Sequence, residues 1–140
     1  GTQLHRPVTG GGLMSLPAWI LESLRPLLAK GFRERAWHAT ADPALVAYEE
    51  KLTERNRLYM FKALMKNAQW PDAEQQPTLV LPVSVLAGDS DGLTPASGGE
   101  ALARQLPNAD FQVLGECGHQ LMLEKPDAVL VALHRLLARV

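Results

Sequence analysis

The sequence predicts an α/β fold in which helices precede a strand–helix–strand–helix unit. Residues 79–87 form a continuous apolar run of strand length, which is typical of a strand buried on both faces in a parallel sheet. A helix, a second short strand and a final amphipathic helix follow at the spacing of parallel α/β units. Because two strands do not form a stable sheet alone, the unit is expected to be part of a larger sheet.

The composition limits the class of protein. With 140 residues, 46% of them hydrophobic and 21% charged, the chain is long enough for one globular domain with a core. The net charge of −1 gives no basic field, so nucleic acid is not expected as a partner. No window of about 18 apolar residues is present, so no membrane span is expected.

Cys117 is the single cysteine, which excludes an internal disulfide framework and a cysteine-based zinc site. A reducing compartment fits this cysteine usage, and a cytoplasmic location is the expectation. His5, His38 and His134 have no carboxylate or cysteine partners at metal-ligand spacing, so neither a metal nor another cofactor is expected.

The first 12 residues are expected to form a loop, because Pro7 and the glycines at 10–12 interrupt regular structure. The triple glycine is interpreted as a flexible connection, since neither a preceding strand nor a following GK[ST] supports a phosphate site. The start has no initiator Met and no signal-peptide layout. The chain is therefore expected to be a processed product or a piece of something longer.

Apolar residues at helical spacing predict a first helix over residues 13–30, with Ser15 as its cap. Pro26 is expected to kink this helix or end it early, and Gly31 is the expected stop. A further short helix is expected over residues 32–39.

The pair Asp42-Pro43 predicts the start of a long helix, because the aspartate can cap it and proline suits its first turn. This helix is expected to run to about Asn67, with its charged side chains on a solvated face. Its apolar stripe is formed by Leu45, Tyr48, Leu52, Leu58, Phe61, Ala63, Leu64 and Met65.

Ser97 is expected to cap a helix over residues 98–106, which would connect the first strand to a second strand at residues 111–114. Residues 126–140 are predicted to form the final amphipathic helix. Its inward face is expected to carry Val129, Leu130, Leu133, Leu136 and Leu137.

Two chemically capable residues follow the two predicted strands. Asp91 comes just after the first strand and His119 just after the second, in a glycine-rich loop. Catalytic groups of open α/β sheets collect at the carboxyl ends of strands, so the two side chains are expected to meet. The carboxylate would then fix the imidazole tautomer and leave the other ring nitrogen as a general base. The alternative, that Asp91 only forms a turn and His119 only fills a loop, stays open at this point.

These segments resemble the α/β-hydrolase family. Residues 88–95, GDSDGLTP, are similar to the family's loop that carries the catalytic acid, and residues 117–119, CGH, to its small-Gly-His loop. Residues 101–111 and 123–126 also match. The resemblance covers residues 77–140 closely, and it implies the carboxyl-terminal part of an α/β-hydrolase fold, with its last two parallel strands and their helices.

The resemblance implies that Asp91 is the acid and His119 the base of a Ser-Asp-His triad, with Asp89 as the second choice for the acid. The family also needs a nucleophile in a Gly-x-Ser-x-Gly turn. Cys117 is a weak candidate nucleophile, since its closeness to His119 is only sequential. None of the serines is expected to be this nucleophile: Ser15, Ser23, Ser84, Ser90 and Ser97.

By the same resemblance, residues 1–76 correspond to a helical cap (lid) region with an amino-terminal loop, and residues 77–140 to the hydrolase core. Six apolar side chains of the cap have two possible roles. The favoured role is to pack the cap against the sheet, and the alternative is to line an acyl or aromatic pocket. They are Met14, Trp19, Leu58, Phe61, Leu64 and Met65.

The function implied is that of a serine hydrolase, carboxylesterase-like or lipase-like, acting on a small-molecule ester or acyl substrate. The nucleophile is absent from this chain, so the chain alone is expected to be inactive. Its expected partner is the missing amino-terminal half of the hydrolase or a second copy of the chain. The alternative is a catalytically inert fragment of hydrolase origin that self-associates or binds a partner.

Overall fold

A computed structural model of the chain describes Gly12, residues 15–68 and residues 78–139. The loop expected over residues 1–12 therefore lies, apart from Gly12, outside the described residues, as does Met14. The described helices and strands follow one another as α1 Ala18–Ser23, α2 Arg25–Ala36, α3 Pro43–Thr53, α4 Leu58–Asn67, β1 Val83–Gly88, α5 Ala96–Gln105, β2 Ala109–Leu114, α6 Leu121–Glu124 and α7 Pro126–Leu137.

The two strands form a parallel pair, as predicted. Their register runs from Val83 opposite Ala109 to Gly88 opposite Leu114. Helix α5 connects the strands and packs against both of them. Because the strands are parallel and in register, the loops that follow Gly88 and Leu114 leave the same edge of the sheet side by side.

Strand β1 begins at Val83, four residues later than the apolar run predicted. Pro82 directly precedes it and has no N–H to donate to a partner strand. The N–H of Val83 donates to the carbonyl of Asn108 at 3.0 Å, where the second strand approaches. The apolar residues before Pro82 are exposed instead: Leu79, Val80 and Leu81.

The core of the sheet region centres on Leu114, Cys117 and Leu121. Packed against these residues are Leu86, Ala128 and Val129. Helix α7 thus contacts the core through Ala128 and Val129, and its Ala132 is also buried. The prediction that Leu130, Leu133 and Leu137 face inward is wrong, because they are 50%, 47% and 60% exposed.

The first predicted helix is divided in two at Leu24, two residues before Pro26, so the early end expected near this proline is confirmed. Helix α1 ends at Ser23, and Pro26 lies in the first turn of α2. Backbone N–H groups in the first turn have no acceptor within the helix, so a proline, which lacks this N–H, costs no hydrogen bond there. Gly31 is not a stop but lies inside α2. Ser15 does not cap α1, since its hydroxyl donates to the carbonyl of Gly12 and Pro17 occupies the N-cap.

The start of α3 at Pro43 is as predicted. Oδ1 of Asp42 accepts a hydrogen bond from the N–H of Ala44 at 2.8 Å, which satisfies one of the free donors of the first turn. By contrast, Ser97 does not cap α5. That helix begins at Ala96, with Pro95 at its N-cap, so Ser97 lies within the first turn.

The long helix predicted from Pro43 to Asn67 is broken between α3 and α4. The guanidinium of Arg25 donates to the backbone carbonyls of Glu54 and Asn56 in the connecting turn. Oε1 of Glu22 accepts from the N–H of Leu58 at 2.8 Å and so caps the start of α4. The break is therefore stabilised by side chains from the preceding helices, which the local sequence pattern does not show.

Neither α3 nor α4 contains a buried residue. Of the side chains expected either to line a pocket or to pack the cap against the sheet, Phe61 and Leu64 are exposed, whereas Leu58 and Met65 are half-buried. Trp19 of α1 is exposed as well. The assignment of residues 1–76 as a cap and 77–140 as a core stays a prediction.

Of the helices described, none is both long enough and apolar enough to cross a membrane.

The close approach at Gly88 provides a matched test. A Cβ at Gly88 would overlap the carbonyl oxygens of Cys117 and Gly118, whereas one at Gly31 would meet nothing within 4 Å. We expect Gly88→Ala to lower the free energy of unfolding by about 3 kcal/mol. Gly31→Ala, inside a helix, should raise it by about 0.5–1 kcal/mol. Urea unfolding of both variants measures this, and equal effects would contradict the inferred loop contact.

Candidate active site

The candidate site is built from two loops that leave the same edge of the sheet. We call residues 89–95 the acid loop and residues 115–120 the histidine loop. The N–H of Asp89 donates to the carbonyl of Leu114 at 3.0 Å, and the N–H of Ser90 to that of Cys117 at 3.0 Å. Gly88 permits this contact because it has no side chain.

Asp91 is the buried acid of this site, with a side chain that has no solvent exposure. Its Oδ1 accepts from the N–H groups of Leu93 at 2.9 Å and Thr94 at 2.8 Å. Its Oδ2 accepts from Thr94 Oγ1 at 2.7 Å and lies 2.9 Å from Nδ1 of His119. One carboxylate oxygen therefore forms the turn, while the other faces the imidazole.

His119 meets Asp91 through one ring nitrogen. Its side chain is 25% exposed, and its backbone N–H donates to the carbonyl of Ala36 at 2.6 Å. Within residues 15–68 and 78–139, no group hydrogen-bonds to Nε2. With a carboxylate oxygen at Nδ1, the neutral ring carries its proton there, and the lone pair of Nε2 is free to accept a proton.

The carboxylate of Asp91 is favoured in its charged form. Burial alone would raise the pKa of Asp91, but hydrogen bonds from the N–H and hydroxyl of Thr94 outweigh this effect. Further hydrogen bonds from His119 and Leu93 act in the same direction, and the pKa lies below its ordinary value. An ionised acid beside an imidazole is the arrangement that stabilises an imidazolium during proton transfer.

Asp89, the second choice for the acid, hydrogen-bonds to the backbone of the histidine loop and holds the two loops together. Its Oδ2 accepts from the N–H of Glu116 at 2.9 Å, and its Oδ1 from that of Cys117 at 3.1 Å. These two hydrogen bonds, with one from the Ser90 hydroxyl, lower the pKa of Asp89. The geometry therefore favours Asp91 over Asp89 as the partner of the histidine.

Cys117 is not arranged as a nucleophile. Its side chain is fully buried, and this burial, with Glu124 nearby, raises the pKa of the thiol to about 11. The thiolate is the reactive form, so a thiol with this pKa stays protonated at neutral pH. Cys117 instead packs in the core with Leu114 and Leu121.

Glu124 of α6 fixes the backbone on both sides of His119, a role that the sequence did not reveal. Its carboxylate accepts from the N–H of Gly118 at 3.1 Å and from that of Gln120 at 3.2 Å. It also accepts from the N–H of His38, just beyond α2, at 2.9 Å. One signal was available: Glu124 lies in the stretch that resembles the family, five residues after the histidine.

A cavity of about 650 Å³ lies beside this site and is separate from the Asp91–His119 pair. Its lining comes from α2, α3, the residues between them and the acid loop: Arg33, Glu34, Trp37, His38, Ala39, Ala41, Pro43, Val46, Ala47, Glu50 and Ser90. Among the described residues, no group of three or more His, Cys, Asp and Glu side chains could hold a metal ion.

No protein-family model matches the chain. It is similar to Protein ABHD8 of Homo sapiens, with 24% identity over 127 residues, which cover 89% of this chain and 29% of that protein. It is also similar to monoacylglycerol lipase ABHD6 of Mus musculus, with 30% identity over 53 residues, which cover 38% of this chain and 16% of that protein.

Among solved structures, a thermophilic esterase from Thermogutta terrifontis superposes with a TM-score of 0.72 and 24% identity. The match covers 86% of this chain and 48% of the esterase chain, so the chain spans about half of that enzyme and less than a third of ABHD8. These likenesses confirm the predicted fold class, the carboxyl-terminal part of an α/β-hydrolase fold.

The lowered pKa of Asp91 makes a prediction about stability and pH. Because the folded pKa lies below the unfolded value of about 4, the ionised carboxylate stabilises the fold above that pH. This contribution is lost as the pH falls through the lower, folded value. We expect Asp91→Asn to lower the free energy of unfolding by about 1–3 kcal/mol at pH 7, and by less near pH 3.

Urea unfolding of the wild type and the variant at both pH values measures this difference. Asp127→Asn, at an exposed position in the first turn of α7, is the matched control and should show a smaller change. A difference between wild type and Asp91→Asn that is the same at pH 7 and pH 3 would contradict the ionised, hydrogen-bonded state of Asp91.

Proposed function

We propose that this chain, which has the fold of part of an α/β-hydrolase, supplies the acid and the base of a serine hydrolase that cleaves ester bonds. The observation that carries the proposal is the 2.9 Å contact between Nδ1 of His119 and Oδ2 of Asp91. In this proposal the nucleophilic serine comes from residues outside these 140. Ser90 does stand in a Gly-x-Ser-x-Gly sequence, at residues 88–92, but its hydroxyl donates to Asp89 at 2.9 Å, and the next helix begins only at Ala96.

The first half of the proposed reaction forms an acyl-enzyme. The serine oxygen attacks the ester carbonyl carbon, while Nε2 of His119 takes the hydroxyl proton and the carbonyl oxygen becomes an oxyanion. Asp91 stabilises the resulting imidazolium without taking its proton. The bond to the alcohol then breaks, and His119 returns the proton to the leaving oxygen.

The second half releases the acid. Water attacks the acyl carbon, and His119 takes one proton from that water. The bond between the acyl carbon and the serine oxygen then breaks, and the proton passes from Nε2 to the serine. Each step needs Nε2 to be free to exchange protons, which the absence of a hydrogen-bond partner among the described residues supports.

Ester substrates are proposed because of the chemistry named for two similar proteins. One is named a monoacylglycerol lipase and the other an esterase. The exposed Phe61 and Leu64 of α4 are available to contact the apolar part of an acyl substrate. A small-molecule ester or acyl compound is therefore the proposed substrate class, and no cofactor enters the reaction.

A cytoplasmic location is part of the same proposal, because a single cysteine fits a reducing compartment.

A second candidate function is that of an inert module that associates with another chain. It is favoured by the exposed apolar side chains of the sheet region, among them Val113, Leu130 and Leu133. Apolar patches and open strand edges are sites of pairing with other chains. The partner in this case is a second copy of the chain. Sedimentation of the purified chain distinguishes the two: a monomer contradicts self-association, and a stable dimer supports it.

The test of the proposed hydrolase compares this chain with the longer protein in which an upstream Gly-x-Ser-x-Gly segment precedes it. With a short p-nitrophenyl ester, the chain alone is expected to show no hydrolysis above background. In the longer protein, His119→Ala and Asp91→Asn should each lower kcat by about 10²–10⁴-fold. The measurement is the initial rate of nitrophenolate release.

His134→Ala is the matched control, because His134 is an exposed histidine on α7 and should leave the rate unchanged. A longer protein that hydrolyses the ester equally well without His119 would refute the proposed base. Hydrolysis by the isolated chain that depends on His119 would instead show that the chain carries its own nucleophile.

A further inference from the structure

We propose that Thr94 is a positioning residue of the Asp91–His119 pair, whose hydroxyl holds the carboxylate as an acceptor and fixes the place of the imidazole N–H. The inference rests on the proposed function, because the pair matters for turnover only if His119 is the base. The motif at residues 88–95 contains Thr94 but assigns it no role, and the similar proteins assign it none either. The proposal rests on the contacts of Thr94 in the structure.

Thr94 contacts both carboxylate oxygens of Asp91 and the Nδ1 atom of His119. Its backbone N–H donates to Oδ1 of Asp91 at 2.8 Å, and its hydroxyl donates to Oδ2 at 2.7 Å. The same hydroxyl oxygen lies 3.1 Å from Nδ1 of His119. Thr94 Oγ1, Asp91 Oδ2 and His119 Nδ1 thus form a closed triangle, with sides of 2.7, 2.9 and 3.1 Å.

The donors and acceptors of this triangle can be assigned from chemistry. A carboxylate oxygen only accepts, so the single hydroxyl proton of Thr94 points to Oδ2 of Asp91. The lone pairs of that hydroxyl then remain for the N–H of His119. The imidazole proton therefore lies between two acceptors, the carboxylate and the hydroxyl, and the ring has little freedom to turn away from either.

The hydroxyl also acts on the charge of the acid. The side chain of Asp91 is wholly removed from solvent, so its ionised form depends on the hydrogen bonds that it receives. Oδ2 receives two donors, the hydroxyl of Thr94 and the imidazole of His119. His119 gains and loses a proton during the reaction, whereas Thr94 keeps its proton throughout. Loss of this hydroxyl would leave Oδ2 with the histidine alone, and the neutral acid would become more favourable.

Other ionisable groups lie in the acid loop or on the elements packed against it, but they do not replace Thr94. They are Asp89 in its own loop, Arg35 at the end of α2, Cys117 and His119 in the histidine loop, and Glu124 of α6. In the part of the chain that the structure describes, His119 is the one member of this set that hydrogen-bonds to Asp91. A change in the titration of Asp91 on loss of the Thr94 hydroxyl would therefore report the direct contact.

The test follows the side-chain carboxyl carbon of Asp91 by ¹³C NMR as the pH is varied, with this chain as the sample. Thr94→Val keeps the shape of the side chain but removes the hydroxyl, and Thr94→Ser keeps the hydroxyl. We expect the titration midpoint of Asp91 to rise by about one pH unit in Thr94→Val and to stay near the wild-type value in Thr94→Ser.

Thr40→Val is the matched control, because the hydroxyl of Thr40 lies 2.8 Å from Nδ1 of His38, a histidine whose ring forms no ion pair with a carboxylate of the described residues. It should leave the Asp91 midpoint unchanged. If Thr94→Val does not fold, Thr94→Ala also lacks the hydroxyl and should shift the midpoint upward. An unchanged midpoint in the variant without the hydroxyl, or an equal rise in Thr94→Ser, overturns the proposal.

Activity of the longer protein gives a second and separate result. Thr94→Val is expected to lower kcat for a short ester about tenfold with little change in KM, and Thr94→Ser should restore it. A shifted Asp91 midpoint with an unchanged kcat would overturn the positioning role. If the longer protein hydrolyses no ester at all, the proposed function fails, and the Asp91 titration still decides whether Thr94 holds the carboxylate.

Discussion

The close contact between the acid loop and the histidine loop is the constraint on which the candidate site depends. It requires a glycine at 88, because any side chain there would overlap the backbone of Cys117 and Gly118. The Asp89 carboxylate then holds the loops together through two N–H groups of the histidine loop. Only with the backbones fixed in this way can the next carboxylate in the chain, Asp91, reach the imidazole. The two aspartates therefore have different tasks: one joins the loops and the other faces His119.

The end of helix α2 and the residue His38 just beyond it support the same site. The carbonyl of Ala36, at the end of α2, accepts the N–H of His119, and the carbonyl of Arg35 accepts the N–H of Gly92 at 2.9 Å. Glu124 adds a carboxylate that joins the histidine loop to the backbone just beyond α2. The end of α2 thus contacts both loops, so a change in the position of this helix would be transmitted to the imidazole.

The fold class and the contact between Asp91 and His119 could be predicted because both follow from local sequence patterns. An apolar run predicts a buried strand, and loops after neighbouring parallel strands bring Asp91 and His119 together. The break between α3 and α4 could not be predicted, since it depends on Arg25, which is distant in sequence. The contacts of Thr94 and Glu124 were missed for a related reason: a polar residue in a loop or at the end of a four-residue helix belongs to no periodic pattern that would reveal its partners.

The most direct measurement is the ring tautomer of His119 in the isolated chain, read from its ¹⁵N chemical shifts at a pH where the imidazole is neutral. An acid–base pair that this chain assembles by itself requires the proton on Nδ1, facing Asp91, and an unprotonated Nε2. Asp91→Asn should reduce the population of that form. A ring that carries its proton on Nε2 in the wild type, or that does not respond to Asp91→Asn, would contradict the pair.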